Sequence, residues 1–393
     1  MVELKTLEPL TNEYLESIGF SWHTDSDETS YISNQVVQIS EEEANAYYEA
    51  ANELYEMFCE AGEHIIENNL FHEINIPFNL VETIKNSWEE DVHWHLYSRF
   101  DLAGGIDGVP IKLIEFNADT PTSLFETAIV QWAMLKKNGL NEASQFNNLY
   151  DALKDNFKRI ITLDSDIEKF DEYYQKLGWK ILFSSIQGSS EDENTTKLLQ
   201  HIANEAGFNT DFEYIDQVNF SDEGIFKADE GFEFWFKLIP WEDIAIDENE
   251  LAVYLNEIIA NKKAIIFNPA YTLMFQSKGF MKILWDLYPN HPLLLETSFE
   301  PLENTKQVEK RCFGREGANI AIVNADNSLD VKTDGEYEGH KAIYQEYIEF
   351  PKDEEGNYYQ AGVFYAYEAC GLGFRKGGKI LDNMSKFVGH IVK

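Results

Sequence analysis

IEFNADTPTS, residues 114–123, begins as an apolar strand and turns polar within two residues. Glu115, Asn117 and Asp119 are poor strand formers and costly to bury unpaired, so a strand that keeps them has a use for their oxygens. Upstream, the strand-like VHWHLYSRFDL (92–102) is joined to IKLIEF (111–116) by AGGIDGVP, whose Gly and Asp supply turn conformations. The pattern predicts a β-hairpin. Side chains alternate along a strand, so Arg99 and Asp101 share one face, and Glu115 and Asn117 share one face of the partner. Pairing would gather one guanidinium and three oxygen-bearing side chains. Two carboxylates with an amide carbonyl make a hard-oxygen site suited to Mg²⁺, and a fixed cation beside it suits a phosphoryl group or a developing oxyanion. The same spacing also fits a surface hairpin laced by cross-strand ion pairs.

Just downstream, Ser123-Leu124-Phe125-Glu126 has capping-box form, and Phe125, Ala128, Ile129, Trp132 and Leu135 mark one helix face. Thr120, Thr122 and Ser123 thus fall at a helix start, where free N–H groups and the helix dipole favour an anion. Their hydroxyls also serve as simple caps.

The chain of 393 residues is too long for one simple core and is expected to form one large interleaved domain or two lobes. With 44% hydrophobic residues it is globular rather than disordered. Seventy acidic against 31 basic residues give a formal net charge of −39, which repels nucleic acid and anionic membranes and excludes both as default partners. An anionic ligand would need a local basic pocket. The amino terminus lacks a basic region followed by an apolar stretch, and no apolar run is long enough to span a bilayer, so a cytoplasmic location is expected. Cys59, Cys312 and Cys370 lie far apart without metal-ligand spacing and read as buried thiols.

Residues 40–69 carry apolar positions at helical spacing after an acidic first turn and predict one amphipathic helix. From 178 to 218 the pattern becomes strand (GWKILFSS), loop (QGSSED), helix ending at Gly207, then strand (FEYIDQV): the β-loop-α-β unit of a parallel layer. KKAIIFNPAY and the helical QSKGFMKILWDLYP repeat it near 262–289. After Pro292 short strands return, so the chain ends read as α+β around an α/β middle.

A second constellation is EKRCFGREGANIAIV, 309–323, where a loop bearing Gly314 and Gly317 joins two strands. Backbone N–H groups of such a loop can approach phosphates while Lys310 supplies charge. It lacks the order and following helix of a Walker A loop, and an ordinary tight turn has the same composition. IYQEYIEFP (343–351) is apolar apart from Gln345 and the carboxylates Glu346 and Glu349, and fits a hinge that reads an adenine edge or a plain buried strand. His93 and His95 alternate on one side with no third ligand nearby, and read as structural.

Taken together, HWHLYSRFDLAGGIDGVPIKLIEFNADTPTSLFE, NPAYTLMFQSKGFMKILWDLYPNHPLLLETSF, EKRCFGREGANI and IYQEYIEFP resemble the synthetase domain of the glutathionylspermidine synthase family, in order, from about residue 20 onward. The resemblance implies an α+β, ATP-grasp ligase fold with a Rossmann-like α/β (pre-ATP-grasp) subdomain. It implies residues 1–177 as an α+β part carrying the hairpin, 178–300 as the Rossmann-like subdomain and 301–393 as the ATP-clamping lobe. The implied activity is ATP-dependent amide formation between a small-molecule or peptide carboxylate and an amine, through an acyl phosphate, with Mg²⁺ and ATP. Carried over, the magnesium ligands fall on Asp101, Glu115 and Asn117, and the transition-state arginine on Arg99. Thr120 and Thr122 match the acid-substrate segment. Lys310, Gly314, Gln345 and Arg375 match ATP contacts, with Lys341 as the second ATP lysine. Glu191 and Glu193, in Glu191-Asp192-Glu193, match the amine site, while FKLIPWED (236–243) departs from the family there. A helix amino-terminal cluster has the same acidic appearance. The family's bifunctional members add an amidase domain, which this chain is expected to lack. A catalytically silent nucleotide-binding protein and a two-carboxylate hydrolase are the alternatives from other classes.

Overall fold

The computed structural model describes residues 1–90, 92–163 and 166–393. Among the described residues, no helix is long and apolar enough to cross a membrane. The core of the fold is a seven-stranded sheet in the spatial order Leu4–Thr6, Ile32–Ile39, Lys386–Val392, Glu368–Gly377, Tyr358–Ala366, Ser98–Ala103 and Lys112–Asn117. The first 120 and the last 40 residues therefore share one sheet, its pairings antiparallel except where Lys386–Val392 runs parallel to Ile32–Ile39. A four-stranded parallel sheet, Ile265–Phe267, Phe234–Leu238, Lys180–Ser185 and Asn209–Phe212, forms the Rossmann-like layer. Its helix Ser190–Ala206 ends at Gly207 in the left-handed region, as the sequence predicts, but it starts on the Ser189 hydroxyl inside the expected loop QGSSED. The strand expected over FEYIDQV is Asn209–Phe212, followed by a 3-10 turn at Ile215–Gln217. A five-stranded antiparallel sheet holds Thr297–Ser298, Ala342–Glu346, Gln307–Arg311, Ala321–Val323 and Leu329–Lys332. A small sheet, Asn219–Ser221, Gly224–Lys227 and Glu230–Phe232, gave no clear sequence signal because its strands are only three or four residues long.

Helix Glu41–Asn68 forms as predicted, and for a local reason. The Ser40 hydroxyl accepts from Glu43 N while the Glu43 carboxylate accepts from Ser40 N, closing a capping box, and Asn69 ends the helix in the left-handed region. Its buried stripe, including Ala51, Leu54, Phe58 and Ile65, packs on the central sheet.

The predicted hairpin forms, with Arg99 opposite Asn117 and Asp101 opposite Glu115. Gly104 is required at its turn: φ is +73°, and a Cβ would lie 2.0 Å from the Pro110 carbonyl oxygen. Phe100 and Phe116 stack at 3.8 Å on the core face, with Phe58 at 4.7 Å from Phe116. Each such fully buried ring contributes about 2 kcal/mol, which helps offset the cost of the charges on the opposite face.

Three further expectations fail. Residues 92–97 are not strand; the strand begins at Ser98. The amides of Leu96 and Tyr97 donate to the Asn268 side chain, and the carbonyls of His95 and Leu96 accept from Asn156, so tertiary partners replace a ladder. The capping box at Ser123 is absent: Ser123 has φ +64°, and Glu126 accepts from the Trp22 indole at 3.0 Å. The chain then forms a π-helical stretch, Glu126–Val130, before Gln131–Lys137, which leaves Trp132 36% exposed on the expected buried face. Finally, Cys312 and Cys370 are buried, but Cys59 is only half-buried.

Candidate active site

The central sheet, the parallel layer and the five-stranded sheet enclose a cavity of about 400 Å³. Arg99, Asp101, Glu115 and Asn117 line it together with Lys278, Lys310, Gly314, Gln345 and Arg375. Among the lining residues seven are Lys or Arg and seven Asp or Glu, in a chain with 31 basic and 70 acidic residues. The cavity is thus charge-balanced within a strongly acidic chain, which lowers the repulsion that an anionic ligand meets there.

A β-bulge aims the hairpin. Strict alternation would place Leu113 on the face of Glu115 and Asn117, yet Leu113 is buried in the core with Phe116. The register passes from Asp101–Glu115 to Leu102–Leu113, leaving Ile114 as the extra residue. That slip puts Leu113 in the core and keeps both oxygen donors on the cavity side. The Ile114 carbonyl accepts from Lys310 Nζ at 3.1 Å.

The buried Arg99 guanidinium grips Asp101 with two bonds, Nε to Oδ1 at 2.6 Å and Nη2 to Oδ2 at 3.0 Å. Its Nη1 donates to the Thr122 carbonyl at 2.6 Å, so the segment after the strand anchors it. Asn117 Nδ2 donates to Asp101 Oδ2 at 3.1 Å and to Glu115 Oε1 at 3.4 Å, tying the three oxygen-bearing side chains into one cluster. Burial raises the Asp101 carboxyl above its ordinary value, opposed by Arg99. Burial would also raise Glu115, but Lys278, Lys310 and Arg99 outweigh it and hold its pKa near 2. Glu115 is therefore a carboxylate at any physiological pH. The donors Asp101, Glu115 and Asn117, two carboxylates and an amide facing one cavity, fit a hard divalent cation that retains water and phosphate ligands. Among the described residues no group of three or more His, Cys, Asp or Glu side chains is placed to hold a metal ion.

The cations are built from three elements. Lys310 Nζ donates to Gln345 Oε1 at 2.7 Å, and burial lowers its pKa to about 8, with Lys278 adding to the effect and Glu115 opposing it. Lys278, in the turn between helices Thr272–Gln276 and Phe280–Leu287, is 2.9 Å from Glu115 and donates to the Gly314 carbonyl at 2.7 Å. Arg375 spends Nη2 on the Asp382 carbonyl at 2.6 Å, and its buried Nε has no protein partner among the described residues. Glycine is demanded at position 317 rather than 314: Gly317 has φ +71°, and a Cβ would lie 2.4 Å from the Leu381 carbonyl oxygen. At the far end Val308, Ile320, Ile322, Ile348 and Phe350 give the cavity an apolar wall.

Of the residues singled out in the sequence, Thr120 and Thr122 also line the cavity. Lys341 does not; its Nζ donates to the Glu73 carbonyl at 2.8 Å and lies 3.5 Å over the Phe299 ring. Lys278 lines it instead, from a turn between Gln276 and Phe280 that interrupts the segment QSKGFMKILWDLYP read as helical from the sequence. Asp192 lines the cavity, whereas Glu191 and Glu193 do not. Burial, then Glu126 and Asp192, push Glu191 up to about 8, so it sits against other carboxylates at the cavity's edge. Glu193 is spent on Lys197 and the Tyr214 hydroxyl. Asp119 is structural in this arrangement: its carboxylate accepts from buried Lys237 at 2.9 Å and from Trp241 N at 2.7 Å, joining the hairpin's end to the parallel layer.

A cavity lined by clustered carboxylates and cations between an α+β sheet and a Rossmann-like layer belongs to a mixed α/β protein of ATP-grasp type. The chain belongs to the family described as glutathionylspermidine synthase preATP-grasp, which it matches over residues 2–393. It is 29% identical to a Haemophilus influenzae protein whose name assigns it, provisionally, to the acid–amine ligases, over 96% of this chain and 95% of that one. It is 26% identical to the bifunctional glutathionylspermidine synthetase/amidase of Escherichia coli over 91% of this chain, and spans 58% of that relative's length. The trypanothione synthetase of Crithidia fasciculata is 22% identical over 84% of this chain and 52% of its own length. Among solved structures, a glutathione synthetase-like effector from Globodera pallida shares the fold, with TM-score 0.57 at 9% identity, covering 99% of this chain and 100% of that one.

Proposed function

We propose that the protein is an ATP-dependent carboxylate–amine ligase. The observation that carries this reading is the register of the hairpin, which places Arg99, Asp101, Glu115 and Asn117 in one cavity with Lys278 and Lys310. The apolar wall suits a nucleotide base, and the lysines and Arg375 suit its phosphates. Asp101, Glu115 and Asn117 would hold Mg²⁺, which when bound neutralises phosphate charge. A carboxylate oxygen of the acid substrate attacks the γ-phosphorus; an O–P bond forms, the bond to the β-phosphate oxygen breaks, and ADP leaves. The amine then attacks the acyl carbon, the C–O bond breaks, phosphate departs, one amine proton is lost, and an amide remains. Arg99, held rigidly by Asp101 and Thr122, stabilises charge on the transferred group, and fixed positioning of this kind supplies most of the rate enhancement in phosphoryl transfer.

The acid is a peptide-like or glutathione-like carboxylate placed near Thr120 and Thr122. The amine is a polyamine or another cationic amine placed towards Asp192 and Glu191, with Glu193 outside the contact. Mass spectrometry of products formed from a metabolite extract with ATP and Mg²⁺ tests the reading. An amide product formed together with ADP is expected; nucleotide binding without turnover on any pair of substrates would instead indicate a silent clamp, and turnover without ATP a hydrolase.

A further inference from the structure

A second cavity, of about 380 Å³, shares no lining residue with the first. Its walls are aromatic: Tyr55, Trp88, Trp94, Tyr271 and Tyr365. The site hairpin separates the two, since Tyr55 packs against Phe116 on the core face while Glu115 and Asn117 face the other way.

Four polar donors in these walls are already committed. The Tyr55 hydroxyl is 3.1 Å from His95 Nδ1, and the Tyr271 hydroxyl donates to the His93 carbonyl at 3.3 Å. The indole N–H of Trp88 goes to Glu63 at 2.6 Å and that of Trp94 to Asn156 at 2.7 Å. One buried acceptor has no such bond. His93 is 6% exposed, and its Nδ1 has no partner among the described residues. Burial lowers the His93 pKa to about 4, so the ring is neutral at physiological pH and offers a lone pair when its proton is on Nε2. Glu90 also lines the cavity, held by Lys262 at 2.9 Å in a half-exposed ion pair of the weak kind that a second cation can displace. Glu56 and Glu60 add negative potential near Cys59, whose thiol is pushed up to about 11, chiefly by burial.

Aromatic faces attract cations, and a partly exposed carboxylate beside them adds to that attraction. We propose that this cavity is a second binding site, and that it takes an organic ammonium carrying an apolar body, with the charge against the aromatic faces and beside Glu90. This does not depend on the ligase reading.

Isothermal titration calorimetry with phenethylammonium chloride, and with neutral 3-phenyl-1-propanol as control, tests it on the intact chain. Saturable binding of the ammonium at least about tenfold tighter than the alcohol is expected, as for a desolvated cation–π site. Trp88→Leu and Glu90→Gln should each weaken it by about threefold or more. Glu90 is partly exposed, so Glu90→Gln decides the matter if Trp88→Leu fails to fold by circular dichroism. Equal affinity for the alcohol would overturn the proposal, as would absence of binding. So would unchanged affinity in the folded variants, because the ammonium would then be bound elsewhere.

Discussion

Two acidic stretches of this chain look alike as sequence and differ completely in the folded protein: the hairpin carboxylates Asp101 and Glu115, and the helix start Glu191-Asp192-Glu193. In the hairpin both carboxylates are drawn into one buried cluster with Arg99 and Lys278 within about 3 Å. At the helix start three consecutive residues fan out by about 100° each, so Asp192 reaches the cavity, Glu191 its edge, and Glu193 the surface pair with Lys197. Cross-strand pairing concentrates charge, whereas a helical turn disperses it.

That contrast sets the order of expected effects. Asp101→Asn should lower ATP turnover by about a thousandfold while the far-ultraviolet circular dichroism stays native, because it removes a charge used mainly in the transition state. Turnover near wild type would take Asp101 out of the chemistry. Lys278→Met should reduce kcat/KM for ATP by about a hundredfold, and Lys341→Met should change it by less than about twofold given its place outside the cavity. The reverse order of the two would return Lys341 to the nucleotide site.

The pH dependence follows from Lys310. Its pKa is lowered to about 8, so the ammonium is present below that pH and lost above it. Log kcat/KM for ATP should therefore fall as pH rises through about 8, approaching a tenfold loss per pH unit. In Lys310→Arg, whose guanidinium stays charged, the fall should move beyond pH ~9; a profile that does not respond to this change would assign the titration to another group. The smallest effect is expected at the helix start, where Glu193→Gln should leave the KM for the amine within about twofold of wild type, and Glu191→Gln should raise it more. Steady-state kinetics on the identified amine checks both.

Much of this arrangement was legible in the chain. The hairpin and the convergence of Arg99, Asp101, Glu115 and Asn117 follow from turn residues and a period of two, both local. Helix Glu41–Asn68 and the β-loop-α-β unit followed from caps and periodicity in the same way. Lys278 was missed because nothing nearby in sequence indicates that the turn between two helices will face a strand 160 residues away. The capping-box pattern at Ser123 misled because Trp22 captures Glu126, a partner 104 residues distant.

Amino-acid order was therefore enough where caps, turns and periodicity act alone: the helix Glu41–Asn68, the hairpin, and which of its side chains share a face. Folding in three dimensions had to choose the rest, because the choice is an energy balance between distant groups. The bulge at Ile114 exists because Leu113 gains more in the core than one ladder bond is worth, and because Lys310, from a different sheet, satisfies the carbonyl so displaced. The joining of the chain's two ends in one sheet, the assignment of Lys278 rather than Lys341 to the cavity, and the aromatic chamber behind the hairpin are of the same kind.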